Sequence, residues 1–293
     1  MKSFFVRTVS GIVFVGIMAG CLLGGKISYA CLMLFLQVSM LYEFYALTLG
    51  TGWRLQKGIG IAAGVCLWGA TFLTTNGYPL TGAIAFLSII LLFWGSMFFI
   101  HRDKKEHTRP EAFGNISVFG KIMGGFLYIS MPLTCVNFLA IVNEPGDAFS
   151  WSGYNGRFLL GLFIILWSSD VGAYIFGSLF GRHRLCPSIS PKKTWEGAFG
   201  GLLTAAIAGY GLWYYTFFPC RWIHMAALVA LVVVFGVLGD LLESRIKRSA
   251  GVKDSGKLMP GHGGILDRCD GMLLAFPAVL IYIFIIEILN IIW

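Results

Sequence analysis

Long apolar runs alternate with short polar and charged segments along almost the whole chain. The runs cover roughly residues 6–23, 28–49, 58–76, 79–100, 122–142, 158–180, 197–218, 223–241 and 272–293. Each is close to the roughly 20 residues with which an α-helix crosses hydrocarbon. None alternates polar with apolar residues as a barrel strand does, and in lipid only helices and closed barrels satisfy their own backbone. The pattern predicts an all-α, polytopic integral membrane protein with about nine transmembrane helices. It predicts a single membrane domain over residues 1–293. Four spans and a cytoplasmic loop fill 1–121, and the helices of 122–293 carry the candidate chemistry at 169–197 and 239–271. The stretch 143–157, with Pro145, Gly146, Gly153 and Gly156, reads as a loop.

Composition agrees. The chain is 57% hydrophobic and 12% charged, where a soluble domain carries about 25% charged residues. The seven cysteines form no C-x-x-C pair and mostly lie in or beside apolar runs, which argues against a disulfide framework or a zinc site. Lys2 and Arg7 precede the apolar stretch Val9–Leu23 as in a signal peptide, but that stretch is long and Lys26 interrupts the cleavage region, so an uncleaved first span is expected.

The net charge of +8 points to topology and anionic lipid rather than nucleic acid. With the N-terminus in the cytoplasm and the spans alternating, every Lys and Arg except Lys26, Arg157 and Arg221 falls inside. That asymmetry follows the positive-inside rule. It also supports the span count, because one span more or fewer would invert every later loop. Two stripes of small residues, Gly197-Gly201-Ala205-Gly209 and Ala173-Gly177-Gly181, let helix backbones approach closely in lipid. Packing within the monomer is their first reading, a dimer seam the second.

Ionisable groups at membrane depth are costly and usually functional. Asp170 lies in the middle of a run, Asp240 at the inner end of the eighth, and Asp267 and Asp270 just before the last. Glu43 and Glu287 look isolated. If the eighth helix continues past residue 241, Asp240, Glu243, Ser244 and Lys247 share one face. Asp267 and Asp270, three apart, do the same. Carboxylates gathered near one membrane surface suit a hard cation such as Mg²⁺, with phosphate oxygens completing its shell. The plainer alternative is pairing with Arg245, Lys247 or Arg268.

Two basic segments accompany these acids. In 181–197, Thr194 is placed to cap the seventh helix, with Lys192 and Lys193 just ahead of it, an arrangement suited to phosphate. Segment 253–264 is basic and Gly-rich, with Lys253, Lys257, Gly263 and Gly264, and lets backbone amides approach a polyphosphate. It fits G-x-x-x-x-G-K, but Leu258 stands where a P-loop needs Ser or Thr, and no strand precedes it. His262 reads by default as a neutral loop histidine, with a phosphate contact as the functional alternative. The cations of 101–121 are assigned to the cytoplasmic surface near anionic headgroups, without catalysis.

Residues 244–270 read SRIKR, four residues, then KDSGKLMPGHGGILDRCD. This resembles the signature of the phosphatidate cytidylyltransferase (CDP-diacylglycerol synthase) family. Ser169-Asp170-x-x-Ala173-Tyr174 and the SPKKTWEG of 190–197 resemble that family too. The resemblance implies transfer of the cytidylyl group of CTP to phosphatidic acid, giving CDP-diacylglycerol and pyrophosphate. It implies Mg²⁺ and a second cation such as K⁺, and often a homodimer. The site then faces the cytoplasm from a multi-pass protein of the plasma membrane, in contact with membrane lipids.

The resemblance carries metal binding onto Asp240, Asp267 and Asp270, with Asp170 nearby. Lys247 and Arg268 join the catalytic set. Lys192, Lys193, Thr194, Ser244, Arg248, Lys253, Lys257, His262, Gly263 and Gly264 become substrate contacts. Two other readings stay open: a CTP-dependent polyprenol or lipid kinase, which moves the γ-phosphate, and an ion-coupled transporter. A transporter wants charges at the bilayer middle and inverted repeats, whereas most charges here lie in loops. A CDP-alcohol phosphatidyltransferase expects a D-G-x-x-A-R motif that the chain lacks.

Overall fold

A computed structural model describes residues 2–50, 52–84, 87, 112–142, 153–218, 220–259, 261 and 263–289. The described chain is mostly helical. Its elements are α1 (Lys2–Leu23), α2 (Lys26–Leu49), α3 (Arg54–Thr75), α4 (Ala112–Gly125), a π-helical turn (Phe126–Ser130) and α5 (Met131–Leu139). There follow α6 (Gly156–Phe180), β1 (Arg184–Cys186), β2 (Ser190–Thr194), α7 (Trp195–Tyr214), α8 (Trp222–Ser249), α9 (Leu266–Cys269) and α10 (Met272–Ile288).

Among the described residues, six helical stretches are long and apolar enough to cross a membrane: Lys26–Leu49, Arg54–Thr75, Val118–Leu139, Gly156–Phe180, Trp222–Ser249 and Leu266–Ile288. Two more of the expected runs form helices. The apolar part of α1, Thr8–Leu23, is shorter. α7 is rich in glycine, which packs well but adds little hydropathy. The expected run 79–100 lies largely outside the described residues, although 79–84 are helical. So does the charged stretch 101–111.

The expectation of an all-α chain needs one amendment. Segment 184–194, read from sequence as a loop, forms an antiparallel hairpin with Arg184 opposite Thr194 and Cys186 opposite Ser190. The hairpin pairs its backbone groups outside the helices. It also delivers Thr194 to the start of α7, where its Oγ1 accepts from Gly197 N at 3.1 Å, as a helix N-cap does.

α6 and α7 make the closest helix pair, and the two small-residue stripes face each other there. A Cβ at Gly197 would lie 2.8 Å from Ala173 O and 3.2 Å from Gly177 Cα. One at Gly201 would lie 2.8 Å from Ser169 O. Thr204 Oγ1 donates across the seam to Ser168 O at 2.9 Å. These stripes therefore pack within the monomer. α8 and α10 lean on this pair through a core that includes Leu166, Val232, Val233, Leu273 and Phe276.

The bundle has two distinct ends. At one, Tyr154 Oη donates to Leu22 O at 2.6 Å, and Asn155 Oδ1 accepts from Phe158 N to cap α6. At the other meet the last turns of α2, α6 and α8, the first turns of α7 and α10, and the hairpin.

Candidate active site

α8 runs without a break from Trp222 to Ser249, so Asp240, Glu243, Ser244 and Lys247 do lie on one helix. Gly239 lets the next segment approach: a Cβ there would sit 2.5 Å from Asp270 O and 3.1 Å from Gly271 Cα. The result is a compact acidic group. One carboxylate oxygen from each of Asp240, Glu243 and Asp270 lies within 4.8 Å of the others.

Each acid in the neighbourhood has its own partners. Asp240 Oδ2 pairs with Lys193 Nζ at 2.7 Å, and its Oδ1 accepts from Ser244 Oγ at 3.2 Å. Asp270 Oδ1 accepts from Gly271 N at 2.8 Å. Glu243 is 1% exposed, pairs with Lys247 and also faces Asp267 through a side-chain hydrogen bond. Asp267 is held differently. Its Oδ1 accepts from Lys247 Nζ at 2.6 Å, and its Oδ2 from Ser255 N at 2.9 Å and Gly264 N at 2.8 Å. These three contacts tie Asp267 to Lys247 and to the loop at Ser255 and Gly264.

A cavity of about 750 Å³ opens on this group. Asp170, Lys192, Lys193, Thr194, Asp240, Lys247, Asp267, Arg268 and Asp270 line its polar part. Phe14, Val15, Trp167 and Tyr174 give it an apolar wall. Residues from four distant parts of the sequence thus share one concave surface, with anionic and cationic groups side by side. Such a surface suits a polyanion accompanied by a cation, and its apolar wall suits an acyl chain.

At its edge, His183 Nδ1 lies 2.6 Å from Glu196 Oε1, and His183 N donates to the same carboxylate at 3.2 Å. Main-chain N–H groups, its own first, and the His183 ring hold the Glu196 carboxyl down to about 2. The pair locks the hairpin onto the first turn of α7.

The remaining sequence-derived candidates fall into three sets. Ser244, Gly263 and Gly264 flank the acids without lining the cavity: Ser244 hydrogen-bonds Asp240 and Gly264 hydrogen-bonds Asp267. Gly263 has φ +89°, a left-handed conformation that favours glycine, and a Cβ there would lie 2.7 Å from Asp267 Oδ2. Arg248, Lys253 and Lys257 are exposed beyond the lining residues, and Arg248 Nη1 donates to Val252 O at 3.0 Å. His262 lies outside the described residues.

Sequence reasoning missed two acids. Glu243 was grouped with Asp240 by helical spacing but was not among the candidate metal ligands, although the fold brings it beside Asp240 and Asp270. Glu43 looked isolated, yet its buried carboxylate holds the loop that precedes α9. Its position on α2 gives no local signal of that contact.

The chain is 45% identical over 121 residues to a phosphatidate cytidylyltransferase of Staphylococcus aureus (strain COL), covering 41% of this chain and 46% of the relative. It is 47% identical over 122 residues to one from Staphylococcus haemolyticus (strain JCSC1435) and 48% over 122 residues to one from Staphylococcus epidermidis (strain ATCC 12228 / FDA PCI 1200). Coverage in both is again 41% of this chain and 46% of the relative, so the matched stretch spans about half the length of these curated relatives. A family model described as "Cytidylyltransferase family" matches residues 5–286. Because that match takes in the helical bundle and the cavity together, the chain belongs to the cytidylyltransferase family.

Proposed function

We propose that the protein transfers the cytidylyl group of CTP to phosphatidic acid, giving CDP-diacylglycerol and pyrophosphate for phospholipid synthesis. The observation that carries this reading is the single cavity in which Asp240 and Asp270 meet Lys192, Lys193, Lys247 and Arg268 beside an apolar wall. A phosphate oxygen of phosphatidate attacks the α-phosphorus of CTP. The bond from that phosphorus to the bridging oxygen breaks, and pyrophosphate leaves with the electron pair. The nucleophile arrives with the substrate, so the side chains need only position the reactants and neutralise charge.

Lys192, Lys193, Lys247 and Arg268 are the proposed phosphate contacts. The start of α7, capped by Thr194, completes them, and Gly263 and Gly264 shape the loop that holds Asp267 beside them. Arg248, Lys253 and Lys257, exposed at the same end, draw the anionic nucleotide in. His262 is proposed as one further phosphate contact.

Asp240, Glu243 and Asp270 fit a hard divalent cation such as Mg²⁺. The donors are all oxygens, they lie within 4.8 Å of one another, and Glu243 is buried beside the other two. When bound, the ion supplies charge neutralisation at the triphosphate and the leaving pyrophosphate. Asp267 serves the group by fixing Lys247 and the loop. Asp170, on the same wall, is available to a second cation such as K⁺.

The proposed setting is a plasma membrane, with about nine spans, the N-terminus inside and the cavity open to the cytoplasm. Two observations support it. The basic residues obey the positive-inside rule, and the cavity lies at the opposite end of the bundle from Leu22 and Tyr154. Homodimerisation is also part of the proposal, readable by light scattering on the purified protein.

The decisive assay uses purified protein, phosphatidate, Mg²⁺ and CTP labelled at the α-phosphate. Label should enter a nucleotide-bearing lipid and disappear with EDTA. Transfer of a γ-label into a lipid monophosphate would overturn the proposal in favour of a kinase.

A further inference from the structure

Glu43, on α2, is 4% exposed. A carboxylate tolerates such burial only when its oxygens are occupied. Both are. Oε2 accepts from Ser255 Oγ at 3.1 Å and from Leu266 N at 2.9 Å, and Oε1 accepts from Ile265 N at 3.1 Å. The donors belong to the Gly-rich loop and the first turn of α9. Amides at a helix start have no intrahelical acceptor, and an anion satisfies them. Ile265, at the cap position of α9, supplies no side-chain cap of its own, so Glu43 does this from another helix.

The loop is shaped around the carboxylate. A Cβ at Gly256 or at Gly264 would lie 2.7 Å from Glu43 Cδ, so a side chain at either position would collide with it. From the cavity side, Asp267 Oδ2 grips the same stretch at Ser255 N and Gly264 N. Two carboxylates therefore clamp one loop, one from inside the bundle and one from the site. Asp270 lies one helical turn beyond Leu266, so a shift of the Leu266 amide carries the Asp270 carboxylate with it. Reacting and ligating groups tolerate little such movement, since a misplacement of about 1 Å can cost about 100-fold in rate.

We propose that Glu43 is a positioning residue for the acidic site: by clamping Ser255 and the start of α9 it fixes the turn that presents Asp267, Arg268 and Asp270 to the cavity. The proposal rests on the cytidylyltransferase reading of that cavity.

Glu43→Gln keeps the side-chain shape but turns one acceptor into a donor facing donors. In the purified full-length variant, half-maximal Mg²⁺ for CDP-diacylglycerol formation should rise about 10-fold, the scale of loss when a group that orients a metal ligand is changed. Turnover at saturating Mg²⁺ should recover most of its normal value. Amide hydrogen exchange at Ile265 and Leu266, measured without metal, should quicken by at least about 10-fold as the cap is lost. Ser255→Ala removes one of the three contacts and should move both readouts the same way, by less.

Unchanged Mg²⁺ dependence together with unchanged exchange would overturn the proposal. A uniform loss of turnover with a lower Tm but the normal Mg²⁺ curve would also overturn it, because that is what a merely structural role produces. If the unmodified protein forms no nucleotide-bearing lipid, the catalytic reading fails, while the exchange measurement still decides whether Glu43 holds the loop.

Discussion

Lys247 offers the sharpest test of how the site is held together. Its ammonium bridges Glu243 and Asp267 with only 11% of its side chain exposed, and those partners are 1% and 6% exposed. An exposed pair of this kind would contribute at most about 1 kcal/mol. Removing one partner of a buried pair instead costs about 3–5 kcal/mol, because an uncompensated charge stays behind. Lys247→Met keeps much of the stem and deletes the charge. Asp267 would retain two backbone N–H donors, whereas Glu243 would lose its cation beside Asp240 and Asp270. The buried value should therefore apply, mostly through Glu243.

At about 2–4 °C per kcal/mol for a chain of roughly this size, the Tm in detergent should fall by about 6–20 °C. The double variant Lys247→Met with Glu243→Gln should recover a large part of that loss, since the stranded charge is gone. Thermal unfolding followed by a thiol-reactive dye or by intrinsic fluorescence gives both numbers. A Lys247→Met shift under about 2 °C would refute the reasoning, and so would a double variant no more stable than the single one.

Asp240→Asn and Asp270→Asn should each lower turnover at least about 100-fold, or about 2.7 kcal/mol of transition-state stabilisation, with the Tm held or raised; near-normal rates in both would remove them from the metal group. Gly201→Val should cost about 1–3 kcal/mol in detergent, because its Cβ would lie 2.8 Å from Ser169 O across the α6–α7 seam; an unaltered Tm would mean the seam is looser than described. The Glu196 carboxyl is depressed from 4.5 to about 2, so its stabilisation is present above 4.5 and lost as pH falls through 2. Glu196→Gln should accordingly lower the Tm at pH 6 and make no difference near pH 2. A gap between the two proteins that persists unchanged at pH 2 would contradict that assignment.

The topogenic and chemical character of the chain is written locally. Apolar runs of span length declare helices because lipid offers no other partner to the backbone. α8 was legible as one helix carrying Asp240, Glu243, Ser244 and Lys247, since a 3.6-residue repeat fixes which side chains share a face. The small-residue stripes were legible for the same reason, and the Thr194 cap because capping chemistry is local.

Partnership between distant segments was not legible. Sequence spacing could not say that Glu243 and Asp270 both close on Asp240, because that depends on how closely Gly239 lets the start of α10 approach. Nor could it say that Lys193 answers Asp240, or that Glu43 caps a helix far along the chain. A carboxylate's role is set by which donors surround it, and those donors are brought up only when the helices pack. The sequence by itself therefore determined the helical membrane architecture and the kinds of residue available for chemistry. The tertiary structure decided which acids face the cavity and which ones hold the loop that shapes it.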